Sequence, residues 1–134
     1  MEYCEICLED DIYKPGELHH IVFRSKCKPL ENCKLNHIHL CYEHHRGTNG
    51  VHGRLGHVLD KKLKLRFQNN LEILFCQNYF TLEDVMNTLG ISFNNIRRLS
   101  KRFKCEKGYY TRESIIRACM SDKMIIEGYE EVSK

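Results

Sequence analysis

Two short pairs, Cys4-x2-Cys7 and Cys41-x2-His44, constrain this 134-residue chain more than any other feature. A two-residue gap lets both side chains of a tight turn face one ion, so two such pairs can close a tetrahedral Cys3His site. Thiolate and imidazole donors with no open position favour structural Zn2+. Such a site would tie the N-terminus to the chain near residue 41. Small domains bury a poor fraction of their surface and usually need a staple of this kind. The chain offers one with 8 Cys and 8 His. Cys27 and Cys33 lie between the pairs and could replace Cys41 or His44, although their wider gap is less typical of a zinc turn. Cys76, Cys105 and Cys119 are isolated, and core packing is expected for each.

Every His precedes residue 58, which puts the chemistry in the N-terminal part. Residues 17–25, with Ile21, Val22 and Phe23, read as a short strand. Residues 36–40 alternate and read as a second one. Tyr42–Arg46 reads as a helix start, interrupted by the turn residues 47–50. Over 58–75 the period becomes helical, with Leu59, Leu63, Phe67, Leu71 and Leu74 on one side and Lys61, Lys62, Lys64 and Arg66 on the other. That helix would pack on the metal module, and its basic face could also lie along DNA. A boundary is expected near 77–80, giving domains 1–77 and 78–134. In the second, Thr81 with Glu83 and Asp84 marks a helix start, and Gly90 its end. Ser92 caps a helix over 93–103 that points Ile96 and Leu99 inward. Gly108 breaks the chain, and Thr111 caps a helix carrying Ile115, Ile116 and Ala118. The fold class is α+β.

The chain has no apolar run of membrane-spanning length, and its first residues lack the basic start and apolar stretch of a secretion signal. A cytoplasmic location is therefore expected, where Cys pairs read as metal sites before disulfides. Net charge is a modest +3. Its distribution is more telling: Arg97, Arg98, Lys101, Arg102 and Lys104 follow one another with no acid between them. Such a run suits a phosphate backbone, and a solvated helix face explains it equally well.

His19-His20 lies on the first strand, where neighbours point to opposite faces. One can then bind metal while the other handles a proton. Asn36 precedes the second pair, His45 follows His44 directly, and His52 comes after the Gly-rich turn. The order Cys-x2-Cys, His-His, Asn, Cys-x2-His-His resembles the HNH (ββα-metal) endonuclease superfamily over roughly residues 4–75. The likeness is closest to small phage HNH proteins and zinc-bearing phage junction resolvases. Leu18-His19-His20-Ile21-Val22 and residues 40–47 carry it. The resemblance implies a zinc-stabilised ββα-metal module followed by a long helix. In it His20 is the general base, His19 and His45 bind a catalytic divalent metal, and Asn36 braces the loop and orients the base. His52 is a third ligand or a phosphate contact. A final zinc ligand of His44 rather than Cys departs from the commonest pattern, as does the glycine-containing stretch before His52.

An imidazole titrating near about 6.5 can take a proton from water at neutral pH, and a bound ion stabilises the charge of phosphodiester hydrolysis. Two imidazole ligands tolerate Mg2+, Mn2+, Ni2+ or Zn2+. Arg24 and Arg46 are close in sequence to the site and could hold the scissile phosphate, or be surface charge. His37 and His39 are expected to decorate the second strand, and His57 to flank the long helix.

Residues 82–92 resemble the first half of a helix-turn-helix, and 108–115 the hairpin and last helix of excisionase-like and MerR-like winged domains. On that resemblance the 93–103 helix enters the major groove, with Asn94, Asn95, Arg97, Arg98 and Lys101 facing DNA and Arg102 and Lys104 nearby. The leading expectation is a metal-dependent DNA endonuclease. The alternatives are a non-catalytic zinc and helix-turn-helix regulator, and a phage inhibitor using the same fold to grip a host defence nuclease complex. DNA is the expected partner. A homodimer, as many relatives that cut both strands form, and a host or phage protein partner are both compatible with the reading. No membrane partner is expected.

Overall fold

The computed structural model describes residues 2–126 and the backbone of 132–133, a mixed α+β chain. It divides into two compact units, one of Met1–Ile21 with His37–Lys64 and one of Val22–Asn36 with Leu65–Lys134.

In the first unit, α1 (Glu5–Leu8) opens with Cys4 at its N-cap, whose sulfur accepts the Cys7 N–H at 3.5 Å. Strand β1 (Glu17–His20) pairs antiparallel with β2 (His37–Leu40), in the register Glu17↔Leu40, His19↔Ile38 and His20↔His37. Side chains alternate across a strand. Glu17 and His19 therefore share one face with Ile38 and Leu40, while His20 and His37 share the other. Helix α2 (Tyr42–Arg46) follows β2 at once, with Cys41 as its N-cap. Residues 47–56 then fold back on it before α3 (His57–Leu74) begins. The first turns of α3 bury Leu63 and pair Asp60 with Lys64 at 2.9 Å.

The first strand stops at His20, short of the expected 25. Asn36, fully buried in the second unit, supplies the reason. Its Oδ1 accepts the Val22 N–H at 2.7 Å, and its Nδ2 donates to the carbonyls of Val22 at 3.0 Å and Leu30 at 3.4 Å. Once a side-chain amide holds both backbone groups of Val22, neither can join a strand ladder.

The second unit takes up α3 from Leu65. Its buried stripe is Phe67, Leu71 and Phe75, with Leu74 exposed at 42 %, so the apolar repeat runs every fourth residue to Phe75 and the expected Leu74 faces out. Gln68 is buried within the stripe because its amide exchanges two hydrogen bonds with the backbone of Ile125, at 2.9 and 2.7 Å. Helix α4 (Leu82–Leu89) starts at a full capping box between Thr81 and Asp84, both bonds 3.1 Å long. It ends on Gly90 at φ 65°, where a side chain would be strained. Helix α5 (Phe93–Ser100), shorter than the expected 93–103, is capped by Ser92. Strands β3 (Tyr79–Phe80), β4 (Cys105–Glu106) and β5 (Tyr109–Thr111) form a small antiparallel sheet in the order β3-β5-β4. Thr111 then caps α6 (Arg112–Cys119). A last pair, β6 (Lys123–Met124) and β7 (Val132–Ser133), closes the unit. Val85, Leu89, Ile96, Leu99, Ile115 and Ile116 are its apolar centre.

Residues 22–36 fall in the second unit rather than with the strands on either side of them. Residues 22–36 group with the C-terminal helices: their Lys28–Leu30 turn packs against α5, the Cys33 thiol donates to the Leu89 carbonyl at 3.2 Å, and Ser121 Oγ donates to the Lys26 carbonyl at 3.1 Å. Among the described residues no helix is long and apolar enough to cross a membrane.

Candidate metal centres

The first unit brings together two sets of metal-ligating side chains. In the first set, Cys4, Cys7, Cys41 and His44 converge with their ligand atoms within 4.8 Å of one another. The edges of this cluster are informative. Cys7 Sγ lies 3.8 Å from Cys41 Sγ, and His44 Nδ1 lies 3.5, 3.6 and 3.3 Å from the sulfurs of Cys4, Cys7 and Cys41. A tetrahedral Zn2+ with bonds of about 2.3 Å to sulfur and about 2.0 Å to nitrogen sets edges of about 3.8 and 3.6 Å. A disulfide would need sulfurs about 2.05 Å apart. The donors thus already stand at the corners that a zinc ion would require, and the cluster can hold a structural metal such as zinc. Burial raises the Cys4 thiol, but hydrogen bonds from the Cys7 and Cys41 backbone and from His44 bring it down to about 7. Burial and the neighbouring Cys4 and Cys41 sulfurs push Cys7 up to about 12. Three thiols in one pocket resist joint ionisation, and a cation removes that conflict.

The second set is His19, His45 and His52, whose ligand nitrogens also lie within 4.8 Å of one another. Ring centroids are 5.1 Å apart for His19–His45 and for His19–His52, and 4.8 Å for His45–His52. His19 and His45 are buried while His52 is exposed, so the set is open on one side. Consecutive residues on a helix point about 100° apart, which is how His44 and His45 of α2 serve different clusters. His52 reaches the second set through the glycine-rich segment: Val51 and His52 donate their N–H groups to the carbonyls of His44 and His45, both at 2.9 Å. That fold-back requires Gly53, because a Cβ there would stand 1.8 Å from the Gly47 carbonyl oxygen.

Burial, then the nearby charges of His45, His52 and His20, hold His19 down to about 3. His52 is lowered by burial and His45. Both therefore offer neutral imidazole lone pairs. His20 is near enough to act on His19 electrostatically but sits on the other strand face, with its ring 5.0 Å from that of His37.

Glu17 is the residue that the sequence did not single out. Its Oε1 lies 2.6 Å from His45 Nδ1 and accepts Arg46 Nε–H at 3.0 Å, and these two contacts lower its pKa. A carboxylate on one ring nitrogen leaves the other, Nε2, as the lone-pair donor. The available signal was its position two residues before His19, which places both on one strand face.

The other expected residues are placed as follows within their own units. Asn36 braces the 22–30 segment, as described. Arg46 stands beside the second set through Glu17, whereas Arg24 lines a surface of the second unit with Arg98, Lys101 and Arg102. Asn94, Arg97, Arg98 and Lys101 lie together along α5. Asn95 is half-buried, and Lys104 is drawn to Glu106 at 3.2 Å. Cys27, Cys33 and Cys119 are buried in the second unit and belong to neither metal-ligand cluster found among the described residues. Cys76 and Cys105 are exposed rather than packed in the core, as each falls at the edge of a regular element. No protein-family model, curated protein or solved structure matches the chain.

Proposed function

We propose that the chain is a metal-dependent DNA endonuclease of the HNH type, with Cys4, Cys7, Cys41 and His44 holding a structural zinc ion. The observation that carries this reading is the open His19–His45–His52 cluster. A purely structural zinc module needs none of these three imidazoles. A divalent ion held by His19, His45 and His52 would supply charge stabilisation for the phosphorane-like transition state and the departing oxygen.

The remaining work belongs to the chain. His20 takes the proton of a water molecule, and the water oxygen bonds to phosphorus as the P–O3′ bond breaks. The products are a 5′-phosphate and a 3′-hydroxyl, which gains its proton from solvent. Glu17 holds His45 in the tautomer that presents Nε2, and Arg46, fixed through the same carboxylate, is available to a non-bridging phosphate oxygen. The α4–α5 pair and the β4–β5 hairpin with α6 support a winged helix-turn-helix role for the second unit, with α5 towards DNA. A non-catalytic regulator would use this second unit equally well but leaves the open histidine cluster without a task.

The test is nicking of supercoiled plasmid by the purified zinc-loaded chain with added Mg2+ or Mn2+. Wild type should nick, and His20→Ala should lose at least 100-fold while keeping its zinc content and melting temperature. Absence of nicking with every divalent metal, or full activity in His20→Ala, would overturn the assignment.

A further inference from the structure

The segment from Arg24 to Pro29 and residues 98–102, the last turn of α5 with the residues that follow it, form the two walls of a cleft of about 320 Å³, entirely within the second unit. One wall contributes Arg24, Lys26 and Lys28, the other Arg98, Lys101 and Arg102. No carboxylate lines it among the described residues; Glu31, outside the lining, pairs with Lys28 at 2.5 Å, and Asp122 is near enough to act on Cys27. A second hollow of about 370 Å³, lined by Asn94, Arg97, Arg98 and Lys101, shares two of these cations and extends the track along α5. With Lys28 paired to Glu31, the other five like charges repel one another unless an anion lies between them.

From this we infer that the cleft is a phosphate-backbone site for duplex DNA, built jointly by the 24–29 segment and α5. It adds Lys26 to the DNA-facing residues expected from sequence and groups Arg24 with it. The inference rests on the DNA reading above but not on catalysis. The length of α5, eight residues, spans about 12 Å, the axial rise of roughly three to four base pairs. Guanidinium and ammonium groups on both walls suit a backbone crossing between them, and contacts of this kind position a protein without reading sequence. The buried neighbours explain why the walls stay in place: Leu30 and Leu99 are fully buried, and Cys27 lies 4.0 Å from the Ala118 carbonyl behind the first wall.

The test uses the full zinc-loaded chain carrying His20→Ala, without added divalent metal, and fluorescence anisotropy of a labelled 30-base-pair duplex over a NaCl series. Each lost phosphate contact flattens the plot of log K against log [salt] by about 0.9. The added triple change Lys26→Ala, Arg98→Ala and Arg102→Ala should flatten it by about 2–3, equally on two unrelated sequences. Arg98→Glu alone should weaken binding at every salt concentration, which guards against misfolding of the triple variant. Lys14→Ala, a cation ion-paired with Glu43 in the first unit, should leave the slope unchanged. An unchanged slope in the folded triple variant, or tighter binding to an RNA duplex of the same length, overturns the inference. A chain that binds through the cleft but never nicks plasmid sinks the nuclease reading and leaves the cleft standing.

Discussion

Replacing Asn36 by Ala should destabilise the second unit by about 2–4 kcal/mol. Asn36 is fully buried, and its amide is committed to three bonds: Val22 N–H at 2.7 Å, Val22 C=O at 3.0 Å and Leu30 C=O at 3.4 Å. Val22 is itself buried, so its N–H would lose its acceptor with no water to replace it. Leaving one buried donor unsatisfied costs about 1–3 kcal/mol. Carbonyls tolerate the loss better, so the two of them and the vacated side-chain volume bring the total to about 2–4 kcal/mol. Urea slopes for chains of this size are about 1–3 kcal/mol per molar, so the unfolding midpoint should fall by about 1–2 M. Asn36→Asp keeps an acceptor for Val22 N–H but loses both donations and buries a carboxylate, so it should be at least as damaging. The assay is urea unfolding followed by far-ultraviolet circular dichroism at saturating zinc. A midpoint within about 0.3 M of wild type for Asn36→Ala would show that the amide does not brace the 22–30 segment.

Other changes separate the remaining roles. Glu17→Gln should weaken Mn2+ binding at the open histidine cluster by about 10–100-fold, as removal of a carboxylate from a ligating imidazole does; titration calorimetry on zinc-loaded protein checks it, and unchanged affinity refutes the positioning role. Gly53→Ala should displace the 47–56 segment, because its Cβ would stand 1.8 Å from a carbonyl oxygen; His52 should then leave the cluster, read as loss of its shift on Zn2+ addition in histidine NMR spectra. Zinc removal by a chelator should melt the first unit while α4, α5 and α6 persist, since no residue of the second unit belongs to the Cys3His set. Hydrogen exchange would show this as protection lost over residues 2–21 and 37–64 alone, and a uniform loss would contradict it.

The parts legible in the sequence are those governed by local rules. Cys-x2-Cys and Cys-x2-His spacing needs only turn geometry, and the four ligands expected from it are the four that converge. The caps at Thr81, Ser92 and Thr111 follow from a hydroxyl reaching an N–H three residues on. What stayed hidden depends on distant partners. The first strand was expected to reach residue 25 because Ile21, Val22 and Phe23 are good strand formers, but a side chain fourteen residues further on takes up the backbone of Val22. Nothing local says that residues 22–36 group with the C-terminal helices. A lone Glu17 looks like surface charge until the hairpin register brings it to His45. Leu74 and Phe75 are adjacent apolar residues, and only tertiary packing decides that Phe75 is the one buried.

The central claim is that one chain segment, Cys41 to His45, feeds two distinct ions, one caged and one open. Co2+ titration of metal-free protein followed by visible spectroscopy tests it most directly. The account predicts two equivalents: a first with intense tetrahedral thiolate bands, lost in Cys7→Ser, and a second, weaker in absorption, abolished by His19→Ala together with His45→Ala while the first remains. A single equivalent in wild type, or loss of the thiolate bands along with the second ion in the histidine variant, would contradict it.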